Sequence, residues 1–446
     1  MKRLDKAKKM YAGLARWRRV VAAVSTATAV AGTGWLAGEP AAAASSVVHL
    51  TYWTAWSGSW ATLIHNEVQE FNRTHSNIQV SVLSTPDNTY TKLLSAIAAG
   101  DPPNVFADIT TLGPADLADK GGLQNLSGFV SGRYKQFLGW MYPVTKKLVT
   151  VDGKLYGVPM YFDVYNLYYN KDLMKQAGLN PNEPPKTLAQ LQADQAKIWK
   201  VSGSRVSQIG YYPAAADLMY WTASFGVQLY KGGHWDFTGN KAFLAELSFI
   251  KSFSKYPYSA TSGLISSMSP AGGSTDAFDA GKVGFYISGA WEIAQLKEDN
   301  PTMHWGVEPL PKGFPTGTTN GAFVDQNYNA IPKGAKNQAA AWEFMAWLAG
   351  FNNESYVAKA IQPFGQPSAP SVVGAPGYRT FLKSVPARNA FISVLSNPHD
   401  TFWPVSCVDA QLSTEETNVQ QALLSTKMTA QGGASYLQKH MDAAKC

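Results

Sequence analysis

The chain has 446 residues, with 38 Lys and Arg against 31 Asp and Glu, 15% charged and 12% aromatic residues, and two Cys. Eight of the cations but only two of the acids fall in residues 1–44, so the remaining 402 residues carry 30 cations and 29 acids. The basic balance therefore belongs to the leader, which removes the main support for a nucleic-acid partner. Those 402 residues are too many for one ordinary domain and suit two with full cores.

The leader places basic residues first (Lys2, Arg3, Lys6, Lys8, Lys9, Arg16, Arg18, Arg19), then a weakly apolar run from Val20 to Ala37, then the small residues Ala41 to Ala44. That order is a secretory signal, and Ser25, Thr26, Thr28 and Thr33 make the run too polar for a membrane span. We expect a 1–44 signal peptide and an exported protein in the periplasm or on the outer face of the cytoplasmic membrane. Arg18-Arg19 also fits a twin-arginine signal, leaving the export route open. Leu36-Ala37-Gly38 precedes Glu39 where a lipoprotein would carry Cys, so no lipid anchor is expected.

Val47 to Trp53 reads as a strand, followed by a loop Thr54 to Gly58 and a helix capped by Ser59 with Trp60, Ile64, Val68 and Phe71 on one face. Ile78, Val80 and Val82 alternate as a second strand. A helix from Thr89 to Ala99 stops at Gly100, and Val105 to Asp108 is a third strand. This β-α-β-α-β order predicts a parallel, doubly wound sheet with ligands at the carboxyl ends of its strands. Further on come an apolar run from Tyr156 to Asn170, helices after Lys171 and near Leu188 to Trp199, and a buried strand from Gly281 to Ile287. A loop from Pro309 to Gly317 precedes a strand Ala322 to Ile331 and a helix Asn337 to Ala349. Gln362 to Gly377 is rich in Pro and Gly and marks a boundary. The C-terminal segment reads as helical from a capping box, Ser413 with Glu416.

Cys407 and Cys446 match no zinc spacing and form the expected disulfide of an oxidising compartment. Motifs for serine hydrolases, zinc peptidases and phosphate-binding loops are absent, and no metal or cofactor is expected.

Several stretches resemble the family 1 extracellular solute-binding proteins of bacterial ABC importers, the group containing the maltose-binding protein. They are Tyr52-Trp53-Thr54-Ala55-Trp56, Glu70-Phe71-Asn72, Lys92-Leu93-Leu94 to Gly100, Tyr156-Gly157-Val158-Pro159 through Leu173, Gly289-Ala290-Trp291, and Ile331-Pro332 to Ala340. Tyr161 and Asn166 depart from the small residues usual there. The resemblance implies an α/β, two-lobed periplasmic-binding-protein fold, each lobe a doubly wound, mostly parallel sheet, with three interlobe crossings and a ligand cleft between lobes. The crossings are expected near Met160–Asp163, Leu310–Thr316 and Pro363–Pro367. Lobe 1 would be 45–160 plus 313–362, and lobe 2 161–312 plus 363–446.

The resemblance also implies a monomer that is not an enzyme, binds a carbohydrate, and hands it to the transmembrane subunits of an ABC permease. Asp163 falls where the family has a carboxylate for sugar hydroxyls, and Trp291 and Trp403 fall on its sugar-stacking aromatics. Asp108, Trp56, Tyr161, Tyr220, Trp221 and Asp325 are further ligand-binding candidates. Two alternatives stay open: a secreted glycoside hydrolase using a carboxylate pair such as Asp108 and Asp163, and a binding protein for glycerol 3-phosphate or another polar solute.

Overall fold

The computed structural model describes residues 46–85, 89–108, 113–129, 133–213, 217–231, 233–268, 277–313, 322–362, 365–394 and 406–445. The leader, Trp403 and Cys446 lie outside these residues.

Strand β1 (Val48–Thr54) turns Leu50, Tyr52 and Thr54 inward, as the two-residue repeat of a half-buried strand requires. Helix α1 (Gly58–Thr74) buries Leu63, Ile64, Val68 and Phe71 at helical spacing. It starts at Gly58, with Ser57 rather than the expected Ser59 in the extended capping position. Strand β2 (Ile78–Ser84), helix α2 (Thr89–Ala98) and strand β3 (Val105–Asp108) complete the unit, and β1 runs parallel to both β2 and β3. Helix α3 (Ala115–Asp119) comes next, and α4 (Pro143–Leu148) leads to β4 (Val158–Asn170), thirteen residues buried without exception.

Beyond β4 come α5 (Lys171–Gln176), α6 (Leu188–Ile198), α7 (Asp217–Phe225), α8 (Lys241–Lys251), β5 (Phe285–Ser288), α9 (Glu292–Asp299), β6 (Trp305–Glu308) and β7 (Phe323–Ala330). Helix α10 (Gln338–Ala349) ends at Gly350, whose φ of 91° is the left-handed cap that glycine adopts without strain. The short strand β8 (Gln366–Pro367) and helices α11 (Pro376–Ser384), α12 (Asp409–Leu424) and α13 (Ala430–Ala443) close the chain.

One eight-stranded sheet takes the path β5-β4-β7-β3-β1-β2, with β6 and β8 also on β4. Only its β2-β1-β3 end is parallel; β5, β6, β7 and β8 all run antiparallel to β4. In the second half, the Ile209–Val283 bridge is parallel, so the mostly parallel sheet expected there is mixed. The reason is chain order: β5 and β6 return beside β4 from the opposite end.

Two hydrophobic cores share this sheet. The first gathers Leu50 to Phe137, Val158 to Tyr161, and Tyr328 to Tyr378. The second gathers Phe162 to Val324 and Phe391 to Met441, together with Val144 and Leu148 of α4. The chain changes core between Tyr161 and Phe162. It changes again inside β7, between Val324 and Tyr328, later than the Leu310–Thr316 loop. The third change falls after Tyr378 rather than at Pro363–Pro367. Proline and glycine punctuation marks loops, but an uninterrupted strand passes from one core to the other without such a mark.

The capping box expected at Ser413 is not a helix start. Ser413 lies within α12 and Glu416 is buried. The helix instead starts after Val408, which offers no side-chain cap, and in the turn before it the Ser406 backbone N–H donates to Asp409 Oδ2 and the Val408 N–H donates to Ser406 Oγ.

Cys407 is disulfide-bonded, and the other cysteine of the sequence is Cys446. Titration of the unfolded, unreduced protein should find no free thiol, and two thiols per chain would refute the expected bond. The closed loop of about 40 residues is worth roughly 3–4 kcal/mol.

Glu246 of α8 and Glu416 of α12 meet inside the second core, and both oxygens of Glu246 lack a hydrogen-bond partner among the described residues. Burial raises both carboxyls well above their ordinary range, and the charge of Glu416 raises Glu246 further. The fold therefore holds these protons more tightly than the unfolded chain does. Their stabilisation is complete below the ordinary carboxylate range and is lost as pH rises from there through the raised values they have in the fold. Melting temperature should fall from pH 5 to pH 8, and Glu246→Gln should flatten that slope by a few degrees. An unchanged slope would mean the pair is not protonated in the fold.

Candidate functional site

Strands β4 and β7 carry the residues that meet where the two cores join. Asp163 and Asp325 are register partners on these antiparallel strands, so their side chains leave the same face. Asp163 is 7% exposed and Asp325 2%. The Asn327 amide donates to Asp163 Oδ2 at 3.3 Å, and the Tyr165 hydroxyl donates to Asp325 Oδ2 at 2.9 Å. Oδ1 of each carboxylate has no partner among the described residues. Opposite Gln326 to Tyr328 the partner strand runs from Phe162 to Pro159, one residue longer, so β4 is bulged there; Asn327 stands two residues from Asp325 and shares its face.

Two like charges facing each other out of water hold their protons. Burial pushes the Asp163 carboxyl up to about 7, with the Arg388 guanidinium and the Asn327 amide pulling it back. Burial and then the charge of Asp163 put Asp325 well above the carboxylate range, opposed by the bond from Tyr165. Arg388 is itself 1% exposed and donates to the Gly365 carbonyl at 3.0 Å.

Aromatic rings border the pair. Tyr165 stacks on Tyr220 of α7 at 4.1 Å and 15°, and Trp291 stands edge-on to Tyr165 at 5.7 Å and 80°. Phe323 fills the space behind Tyr165 and Tyr220. Tyr220 and Trp291 are only partly buried. The arrangement offers unpaired carboxylate oxygens for hydroxyl or ammonium donors and ring faces for apolar C–H surfaces.

Thus four of the expected residues come together: Asp163, Asp325, Tyr220 and Trp291. Trp221 does not join them; it is fully buried, and its indole N–H donates to Tyr211 Oη at 2.8 Å. Tyr161 is also fully buried, bonded to Glu67 at 2.7 Å, and lies under Trp60, which stacks on the partly buried Trp56 at 4.6 Å. Burial carries the Glu67 carboxyl up to about 8, although the Tyr161 bond favours its ionised form. Asp108 ends β3, its backbone paired with Tyr328. Trp403 lies outside the described residues.

Sequence reading passed over Tyr165, Asn327 and Arg388. The first two carried a signal, since each stands two residues along a strand from a chosen Asp and so shares its face. Arg388 carried none, being more than two hundred residues from Asp163 in the chain. Asn166 departs from the family's small residue, and it is fully buried with both amide atoms lacking a partner among the described residues. No set of His, Cys, Asp or Glu among the described residues is arranged to hold a metal, and no described helix is long and apolar enough to cross a membrane.

Comparison with known proteins agrees with this architecture. Residues 67–380 match the family model for bacterial extracellular solute-binding proteins. A binding protein of Brucella abortus is 27% identical over 266 residues, 58% of this chain and 61% of that protein. The chain thus spans about three fifths of the length of this relative. The sn-glycerol-3-phosphate-binding periplasmic protein UgpB of Yersinia enterocolitica is 28% identical over 167 residues, 36% of this chain and 37% of its own. Among solved structures, CpMnBP1 with mannotriose bound superposes with a TM-score of 0.78 at 27% identity, covering 88% of this chain and 99% of its own. The chain accordingly belongs to the bacterial extracellular solute-binding protein family.

Proposed function

We propose that this protein captures a carbohydrate between its lobes and presents it to an ABC importer. The observation that carries the reading is the register-paired carboxylates Asp163 and Asp325 set against Tyr165, Tyr220 and Trp291. Paired acceptors beside ring faces suit the alternating hydroxyl and C–H faces of a pyranose. The bound mannotriose of CpMnBP1 supports the same ligand class. A phosphorylated ligand such as glycerol 3-phosphate fits less well, because its anion would face two acids with a single buried Arg388 nearby.

Asp108, Trp56 and Trp403 remain ligand-binding candidates in the same reading, and the fully buried Tyr161 and Trp221 contribute as packing. Lobe 1 takes residues 45–161 and 328–382, and lobe 2 takes 162–324 and 385–446, with α4 packed against both. We further propose that the protein is exported on its 1–44 leader, works as a monomer without enzymatic activity, and meets the permease through the outer surfaces of both lobes. Hinge closure on the ligand supplies the shape that the permease reads.

Calorimetry with a panel of mono- to tetrasaccharides, followed by chromatography of the same mixtures, tests the reading. Saturable binding with no new product is expected. Products that depend on the protein would instead make it a glycosidase, and silence toward every sugar would remove the carbohydrate class. Trp291→Ala should weaken sugar binding by about tenfold to a hundredfold, the loss of roughly 1–3 kcal/mol of ring contact. Trp221→Ala should lower the melting temperature and leave the affinity of the folded fraction unchanged. Equal affinity losses in both variants would sink this division between site and core.

A further inference from the structure

We infer that the site selects a sugar bearing a free amine, held with its ammonium between Asp163 and Asp325. The inference rests on the carbohydrate reading and deepens it. Its basis is a charge count: two buried carboxylates lie beside one buried guanidinium, Arg388, which leaves one negative charge without a counterion among the described residues. An isolated charge out of water is costly, so the site must hold either a proton or a cation. The geometry favours a cation that brings several donors. Oδ1 of Asp163 and Oδ1 of Asp325 are both without a partner among the described residues and belong to side chains on one face of the paired strands. An ammonium has three donors and no acceptor, whereas a hydroxyl offers one donor. The partly buried rings of Tyr220 and Trp291 border the same spot and add favourable surface for a cation.

The groups facing the pair are Tyr165 from β4, Asn327 from β7, Tyr220 from α7 and Arg388 from the turn after α11. Since burial keeps a proton on the empty pair, an ammonium entering it displaces that proton. Affinity for an amino sugar should therefore rise as pH increases from 5 to 7, while affinity for the neutral counterpart stays flat or falls.

The test uses the mature protein with glucosamine, galactosamine and mannosamine against glucose, galactose and mannose, read by thermal shift and calorimetry at pH 5 and pH 7. At least one amino sugar should bind about tenfold tighter than its hydroxyl counterpart at pH 7, as expected of charge-assisted over neutral bonds. Asp325→Asn should erase that advantage, and Asp163→Asn serves the same purpose should the first variant fail to fold. Neutral sugars binding as well as, or better than, every amino sugar would overturn the inference and leave the carbohydrate reading standing. Binding to neither series would overturn both.

Discussion

Strand β4 has no solvent face. Each of its thirteen residues is buried, and β5, β6, β7 and β8 all pair with it, so both cores meet on one piece of backbone. A strand buried on both faces reads as an unbroken apolar run, which is why Val158 to Asn170 contains so many aromatic and β-branched residues. Its exceptions are correspondingly informative. Asp163, Asn166 and Asn170 are polar groups placed where burial demands a partner, and Asn170 has one as the cap of α5. Asp163 has half of one, and Asn166 has none among the described residues.

The same constraint explains why the carboxylate pair is poised. In water two opposed acids would both ionise; between two hydrophobic cores they cannot do so without a counterion. Arg388 meets part of that demand and the Tyr165 hydroxyl another part. What remains is a local deficit of donors in a place bordered by ring faces. A buried polar deficit lowers stability, and its persistence beside a partly open aromatic wall is the pattern of a site that keeps some of its bonding capacity for a ligand.

Much of the first lobe was legible because its elements obey local periodicity. Leu50 and Tyr52 alternate, Ile64, Val68 and Phe71 recur every three to four residues, and the β-α-β-α-β order leaves few topologies. The second lobe hid its sheet directions, because β5 and β6 are four-residue strands whose pairing with β4 depends on residues over a hundred positions away. At Ser413 and Glu416 the capping pattern misled, since a buried Glu on the inner face of a helix produces the same spacing as a cap. Tyr220 and Trp221 show the limit for the site itself. Neighbours on a helix point about 100° apart, so one ring reaches Tyr165 and the other enters the core, and their composition gives no means of choosing.

The bulge of β4 opposite β7 has a mechanical consequence. A bulge bends its strand and concentrates twist over one or two residues, and this one adds a residue to β4 at Met160–Tyr161, where the chain passes from one core to the other. Asn327, whose amide donates to Asp163, lies opposite that point. A torsion of one lobe against the other that is taken up there turns the amide relative to the carboxylate it supports. The two strands that pass between the cores thus also carry the Asp163–Asp325 pair, so a twist of one core against the other and the support given to Asp163 change together.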